Sequence, residues 1–341
     1  MDDGWPCNAR GPADPRPSPP RPTPIPRQTD APRPATSGAP ARGQTHRDHH
    51  FAATPVSHPD CRAPLIQIDA PQTWFTAYAA NRYGGVDPHA FAAWDILART
   101  AFAIKTSAPQ DSLFDAQPTL DTKSASAASP QGMGYDAGTF ARAGCELLDV
   151  APRLRDTSAY RFDLVNVTRQ VISNRARVLL PQIRAAYAAK DAAHLNQLTQ
   201  TWLDDMRLLN RLLASNRHFL LGTWLAPARA AGVGNAQELA RLEYDQRSLI
   251  TVWGPRRAAD QGRLHDYANR QLAGLVSGYY LPRWQRFFAS IEQSLATGKP
   301  PAPIDWYALG HAWATSNAPA STTPRGDGWP LAREALTTCG R

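Results

Sequence analysis

Glutamate is scarce in this chain: the 341 residues include only five, Glu146, Glu238, Glu243, Glu292 and Glu334. Carboxylates that do acid–base or nucleophilic work must be held a few ångströms apart on a rigid scaffold. Each of these five falls where a helix would face solvent, as Glu238 and Glu243 do in NAQELARLEYDQR, so no catalytic pair is expected. Cysteine is as sparse. Cys7, Cys61, Cys145 and Cys339 show no CxxC or CxxxC spacing, which excludes a zinc ribbon and gives no disulfide framework. Free thiols and a single bridge both remain open.

Other absences narrow the field. GxSxG, GxxxxGK(S/T), HExxH and GxGxxG do not occur. The histidines are isolated, as at His218, His265 and His311, or lie in the first segment, so neither a metal nor a cofactor is expected. No apolar run reaches the roughly 18 residues that cross a bilayer, so no membrane partner is implied. The start, MDDGWPCNAR, has no apolar core of a secretory signal, and as written the chain reads as cytoplasmic. The net charge of +8 comes almost entirely from arginines scattered among Asp and Glu. No basic arm results, and nucleic acid is not an expected partner.

What the chain has in excess is proline at one end. Fourteen of its 31 prolines lie in the first 60 residues, many in DPRPSPPRPTPIPRQ. Proline fixes φ and removes a donor, so residues 1–64 are expected to be a disordered or polyproline-like tail. That tail reads as a PxxP ligand, as an inert linker, or as a start read out of frame.

Residues 65–341 read as one α-helical domain, and from Ala70 onward the apolar period is helical. WFTAYAANRYG stops at Gly84-Gly85, and HAFAAWDILARTAF puts Phe91, Trp94, Leu97, Ala98 and Phe102 on one stripe. Residues 105–135 form a long excursion of a length that usually carries function or moves. YRFDLVNVTRQVISNRARVLL ends at Pro181, where a kink or restart is expected. LNQLTQTWLDDMRLLNRLLASN is amphipathic through Leu195, Leu198, Trp202, Met206, Leu209 and Leu213. Shorter helices are expected over 217–231, 236–253, 265–280, 283–296, 304–315 and 329–338. The fold class is therefore all-α, an irregular bundle of about nine helices.

One stretch stands out. LVSGYYLPRWQRFF, residues 275–288, packs five aromatics, two arginines and one proline into fourteen positions. Trp284, Phe287, Phe288 and Ile291 have core spacing, and Arg283 is expected to pair with a nearby Asp. Upstream, Trp253 precedes Gly-Pro at a helix end. His265, Asp266, Tyr267 and Asn269 are expected to open the 265–280 helix, with Asp266 as its cap or first-turn acid.

These words carry a resemblance. YRFDLVNVTRQ, FLLGTWLAPARAA, LITVWGP, LHDYANRQLAGLVSGYYLPRWQRFF and PRGD at 324–327 closely resemble the C-terminal all-helical domain of the α-N-acetylglucosaminidases. WFTAYAANRYG, AAWDILARTAF and QPTLDTKSA are similar to the start of that domain, so the likeness runs from Trp74 to Leu336. The resemblance implies a glycoside hydrolase whose two catalytic glutamates sit on a separate (β/α)₈ barrel and act with retention. It implies that the helical domain packs on that barrel and lines one side of the cleft for a glycan ending in N-acetylglucosamine. Residues 1–64 are too few for a barrel of roughly 200 residues, so no catalytic residue carries over and the chain is expected to be inactive alone. Trp253, Asp266 and Tyr267 are the candidate substrate-binding residues. Relatives often carry Trp before the tyrosine that matches Tyr135, whereas Gly134 stands here. The relatives are lysosomal or exported, which leaves localisation open. A stand-alone carbohydrate-binding or protein-interaction module is the competing class.

Overall fold

The computed structural model describes residues 71–105, 111–316 and 318–337. The proline-rich tail, with Cys7 and Cys61, lies outside the described residues, as does Cys339. Ten α-helices follow in order: α1 (Pro71–Tyr83), α2 (Pro88–Arg99), α3 (Ala137–Asp149), α4 (Ser158–Ala188), α5 (Ala192–Ala214), α6 (Leu221–Ala231), α7 (Ala236–Leu249), α8 (Leu281–Thr297), α9 (Trp306–Ala314) and α10 (Gly328–Ala335). Among the described residues there is no strand, only one isolated parallel bridge between Leu220 and Ala273. The all-α class holds.

Side-chain caps punctuate the chain. Asp87, Asp136, Thr157, Asp191, Asn235, Asp305 and Asp327 each accept an amide from the first turn of the following helix. Such a cap contributes about 1 kcal/mol by satisfying a donor that has no intrahelical partner. Asp87 also accepts from Ala151 N at 3.0 Å, which ties the start of α2 to the end of α3. Burial pushes its carboxyl up, but amide donors from Ala90, Ala151 and His89 outweigh that and hold it below the usual range.

The core gathers on α4, α5 and α8. Trp202 and Trp284 are fully buried with ring centroids 4.4 Å apart, and Phe114 and Phe288 close the cluster. Trp284 Nε1 donates to Phe114 O at 3.0 Å, so its one polar atom is satisfied inside the apolar cluster. Cys145 on α3 is disulfide-bonded, which selects the bridge over a free thiol at that position.

Four expectations change. Pro181 does not restart a helix: α4 runs through it for 31 residues, with Leu180 and Ile183 on either side of it both buried. Phe102 is off the core stripe and 65% exposed, because α2 ends at Arg99 and Thr100 turns its hydroxyl back to Ile96 O. Glu243 is not solvent-facing; its side chain is 13% exposed between Arg229 and Arg247. The 265–280 helix does not form. Ala273 N donates to Phe219 O at 2.7 Å and Leu221 N to Ala273 O at 3.0 Å, so this backbone is already paired. A π-helical turn, Val276–Tyr280, then runs directly into α8.

Candidate functional site

The connection between α7 and α8 holds the three residues singled out from the sequence. Four non-glycine residues of the described chain have positive φ, and three of them lie here: Trp253 at 64°, Arg263 at 53° and Asp266 at 56°. Left-handed backbone costs an L-residue roughly 1–2 kcal/mol, so the surrounding structure must over-determine it. The geometry shows how.

Asp266 is fully buried rather than a helix cap. Its amide donates to Thr251 O at 2.6 Å, and its carboxylate accepts from Arg283 Nη1 at 2.9 and 3.1 Å. Tyr279 also donates to it, at 3.4 Å. Arg283, 2% exposed, meets the expectation of a paired Asp and reaches further: Nη2 donates to Asp115 O at 2.9 Å and Ala116 O at 3.0 Å. One guanidinium therefore fastens α8, the Leu113–Asp115 turn and the site loop together. A buried ion pair of this kind holds geometry more than it adds stability. Burial raises the Tyr279 hydroxyl well above its usual range, with Arg283 opposing, so it stays a neutral donor.

Above this anchor sit the two rings. Trp253, partly exposed, and Tyr267, 45% exposed, touch edge to face with centroids 5.0 Å apart. Trp253 lies four residues beyond the end of α7, and its amide donates to Ser248 O at 2.7 Å. α9 supports the same turn from outside. Tyr307 donates to Gly254 O at 3.3 Å, and Arg256 forms a two-bond pair with Asp305, the α9 cap. Gly310 lets α9 approach, since a Cβ there would lie 2.6 Å from Val252 Cγ1. The structure thus brings Trp253 and Tyr267 together at the surface and places Asp266 beneath them.

A second polar layer escaped the sequence reading. Gln271 donates to Ser173 Oγ at 2.8 Å and accepts from Arg169 Nη1 at 2.9 Å, docking the site loop on α4. It also donates to Asp115 at 3.4 Å, whose carboxyl burial pushes well above the usual range despite that bond. Tyr135 pairs with Asn174 on the same helix. The motif TRQ in α4 was the available signal, but nothing in its spacing names a partner about a hundred residues away.

The titratable groups of the loop are engaged with one another: His265 Nδ1 lies 3.3 Å from the Asp266 carboxylate, which is itself held by Arg283. All five glutamates have structural partners: Glu146 with His89, Glu238 with Arg241, Glu243 with Arg229, Glu292 with Thr199 and Glu334 with Arg211. Among the described residues no group of His, Cys, Asp and Glu could hold a metal ion, and no helix is long and apolar enough to cross a membrane.

Known proteins share this arrangement of sequence. The profile of the alpha-N-acetylglucosaminidase (NAGLU) C-terminal domain matches residues 74–338. Human alpha-N-acetylglucosaminidase is 34% identical over 269 residues, which cover 76% of this chain and 34% of the human protein. A family 89 glycoside hydrolase from Clostridium perfringens, solved with GlcNAc-α-1,4-galactose, superposes with a TM-score of 0.75 at 26% identity. That likeness covers 78% of this chain and 31% of the bacterial one, and the same coverage holds for the form bound to 2-acetamido-1,2-dideoxynojirimycin. The chain spans about a third of the length of these relatives. With the helical fold and these matches in agreement, the chain belongs to the α-N-acetylglucosaminidase family of glycoside hydrolases, as its C-terminal helical domain.

Proposed function

We propose that this domain forms one wall of the site that holds a terminal α-linked N-acetylglucosamine, opposite a catalytic (β/α)₈ barrel that carries both catalytic glutamates. The observation that carries this reading is the Trp253–Tyr267 ring pair, fixed on a strained loop at the surface of the matched domain. Flat rings suit the apolar face of a sugar, and rings that are already oriented lose little entropy on binding. The bacterial relative's complexes with an acetamido sugar and an acetamido iminosugar support the ligand class. In this reading Asp266 acts from below, holding Tyr267 in place through Arg283. A role in accepting sugar hydroxyls falls instead to partly exposed Asn269, whose Nδ2 donates to Asp266 O.

The test is binding of 2-acetamido-1,2-dideoxynojirimycin to the purified chain, followed by NMR. Trp253→Ala and Tyr267→Ala should each weaken it at least tenfold while melting stays unchanged. Binding that is indifferent to both substitutions overturns the reading. Because the barrel holds the catalytic glutamates, the chain alone should not hydrolyse an aryl α-N-acetylglucosaminide. Turnover that depends on Trp253 and Tyr267 would sink that part.

A further inference from the structure

Four aromatic rings run in contact across α1 and the end of α2, away from the ring pair just described. Trp74 stacks on Tyr78 at 5.1 Å and 12°, Tyr78 meets Trp94 edge-on at 4.7 Å, and Trp94 stacks on Phe102 at 6.1 Å and 11°. The inner rings are fixed. Trp94 is buried and donates Nε1 to the Tyr83 hydroxyl at 3.0 Å. Arg82 lies over both Tyr78 and Trp94, 5.7 Å from each centroid, with its guanidinium held by Asp163 at 2.5 and 2.7 Å. The outer rings are open: Trp74 is 44% exposed and Phe102 65%.

Rings held in this way lose little freedom when covered, and anchors of that type carry a large share of binding energy at protein interfaces. The domain edge indicates what covers them. The family match starts at Trp74 itself, and the matched domain is the C-terminal one, so in the relatives the other two thirds of the polypeptide arrives at this ledge. The far end of the ledge also reaches the scaffold of the sugar wall. A Cβ on Gly134 would lie 3.0 Å from Ile104 Cγ1, two residues past Phe102. The next residue, Tyr135, pairs with Asn174, the neighbour of the Ser173 that accepts from Gln271. The ledge and the proposed wall are thus tied to one scaffold through α4.

We propose that the Trp74–Tyr78–Trp94–Phe102 ledge is the apolar anchor on which the catalytic portion of the enzyme docks, with apolar side chains of that portion seated against Trp74 and Phe102. The inference rests on the function proposed above and adds where the two parts meet. Four rings are less than the roughly 800 Å² that each partner buries in a stable interface. They form its dry centre, and α2, which carries Trp94, also carries the exposed Asp95–Arg99 pair.

The experiment uses the tagged full chain in its source cells. First, affinity purification and mass spectrometry ask whether an α-N-acetylglucosaminidase barrel accompanies the tag, in the same or a second polypeptide. Second, Trp74→p-benzoylphenylalanine and Phe102→p-benzoylphenylalanine are photolysed, with Val233→p-benzoylphenylalanine as an exposed apolar control. Cross-links from 74 and 102, but not 233, to mapped peptides of the barrel are expected. Trp74→Ser with Phe102→Ser should cut recovery of a separate barrel chain at least tenfold, or, in a single polypeptide, lower activity equally, with the helical domain's melting unchanged. A barrel that co-purifies without cross-linking at the ledge overturns this inference and leaves the proposed function standing. No barrel at all removes both. Cross-links only to a second copy of this chain, or to unrelated proteins, also overturn it.

Discussion

The Trp202–Trp284 cluster and the Trp253–Tyr267 pair are built from the same residue types and do opposite things. In the first, both tryptophans have no exposed surface and sit on regular helices whose stripes face each other. In the second, the rings project from turns, one at left-handed φ itself and the other directly after Asp266, and the loop is fixed by a buried ion pair beneath it. Core aromatics follow from periodicity. The Trp253–Tyr267 pair is presented by irregular backbone instead, and that backbone has an anchor. The proposed sugar wall thus lies where the helical rule is broken.

The comparison can be broken at its strongest point by Trp284→Ala. Loss of the ring, with its bond to Phe114 O, should cost about 4 kcal/mol in denaturant unfolding. A loss under about 1 kcal/mol would mean the cluster is not the core. Next comes the anchor. Asp266→Ala leaves Arg283 buried without its carboxylate and should cost about 3 kcal/mol, together with a change in Trp253 fluorescence. Unchanged fluorescence in a folded variant would separate the ring pair from the anchor.

A smaller effect has a pH signature. Burial raises the Asp115 carboxyl well above 3.8, so the native state keeps a proton that the unfolded chain has lost. Stability therefore falls as pH rises from the unfolded value through the folded one. Asp115→Asn should melt higher than the parent at pH 7 and converge with it near pH 4; a constant difference would refute this. The smallest change is expected for Trp253→Gly. Relief of the left-handed residue offsets the lost ring contact, so stability should move by less than about 1 kcal/mol while sugar affinity disappears. A large loss of stability would make Trp253 a core residue after all.

How far the sequence could be read depended on how local the cause was. The apolar stripe of α5, through Leu195, Leu198, Trp202, Met206, Leu209 and Leu213, repeats within a few residues, and all six are buried as its period predicts. The failures were non-local. The 265–280 segment has helical periodicity, but the Asp266 and Ala273 amides donate to Thr251 O and Phe219 O, and Ala273 O accepts from Leu221 N, partners that no window along the chain can register. Asp266 reads as a cap or first-turn acid because it falls where the 265–280 helix is expected to open. It is an ion-pair partner because α8 places Arg283, seventeen positions later, against it. Among the candidate residues, Trp253 and Tyr267 were found through the familiar words VWGP and HDYAN, and their contact through space.

By itself the sequence determined the helical class, most of the helical segments and their apolar faces, and the family, because periodicity and long ordered motifs are written in consecutive residues. Only the tertiary structure decided which aromatics are inside and which are presented. That choice depends on where backbone donors and buried charges find partners across the fold, and those partners are set by packing rather than by neighbours in the chain.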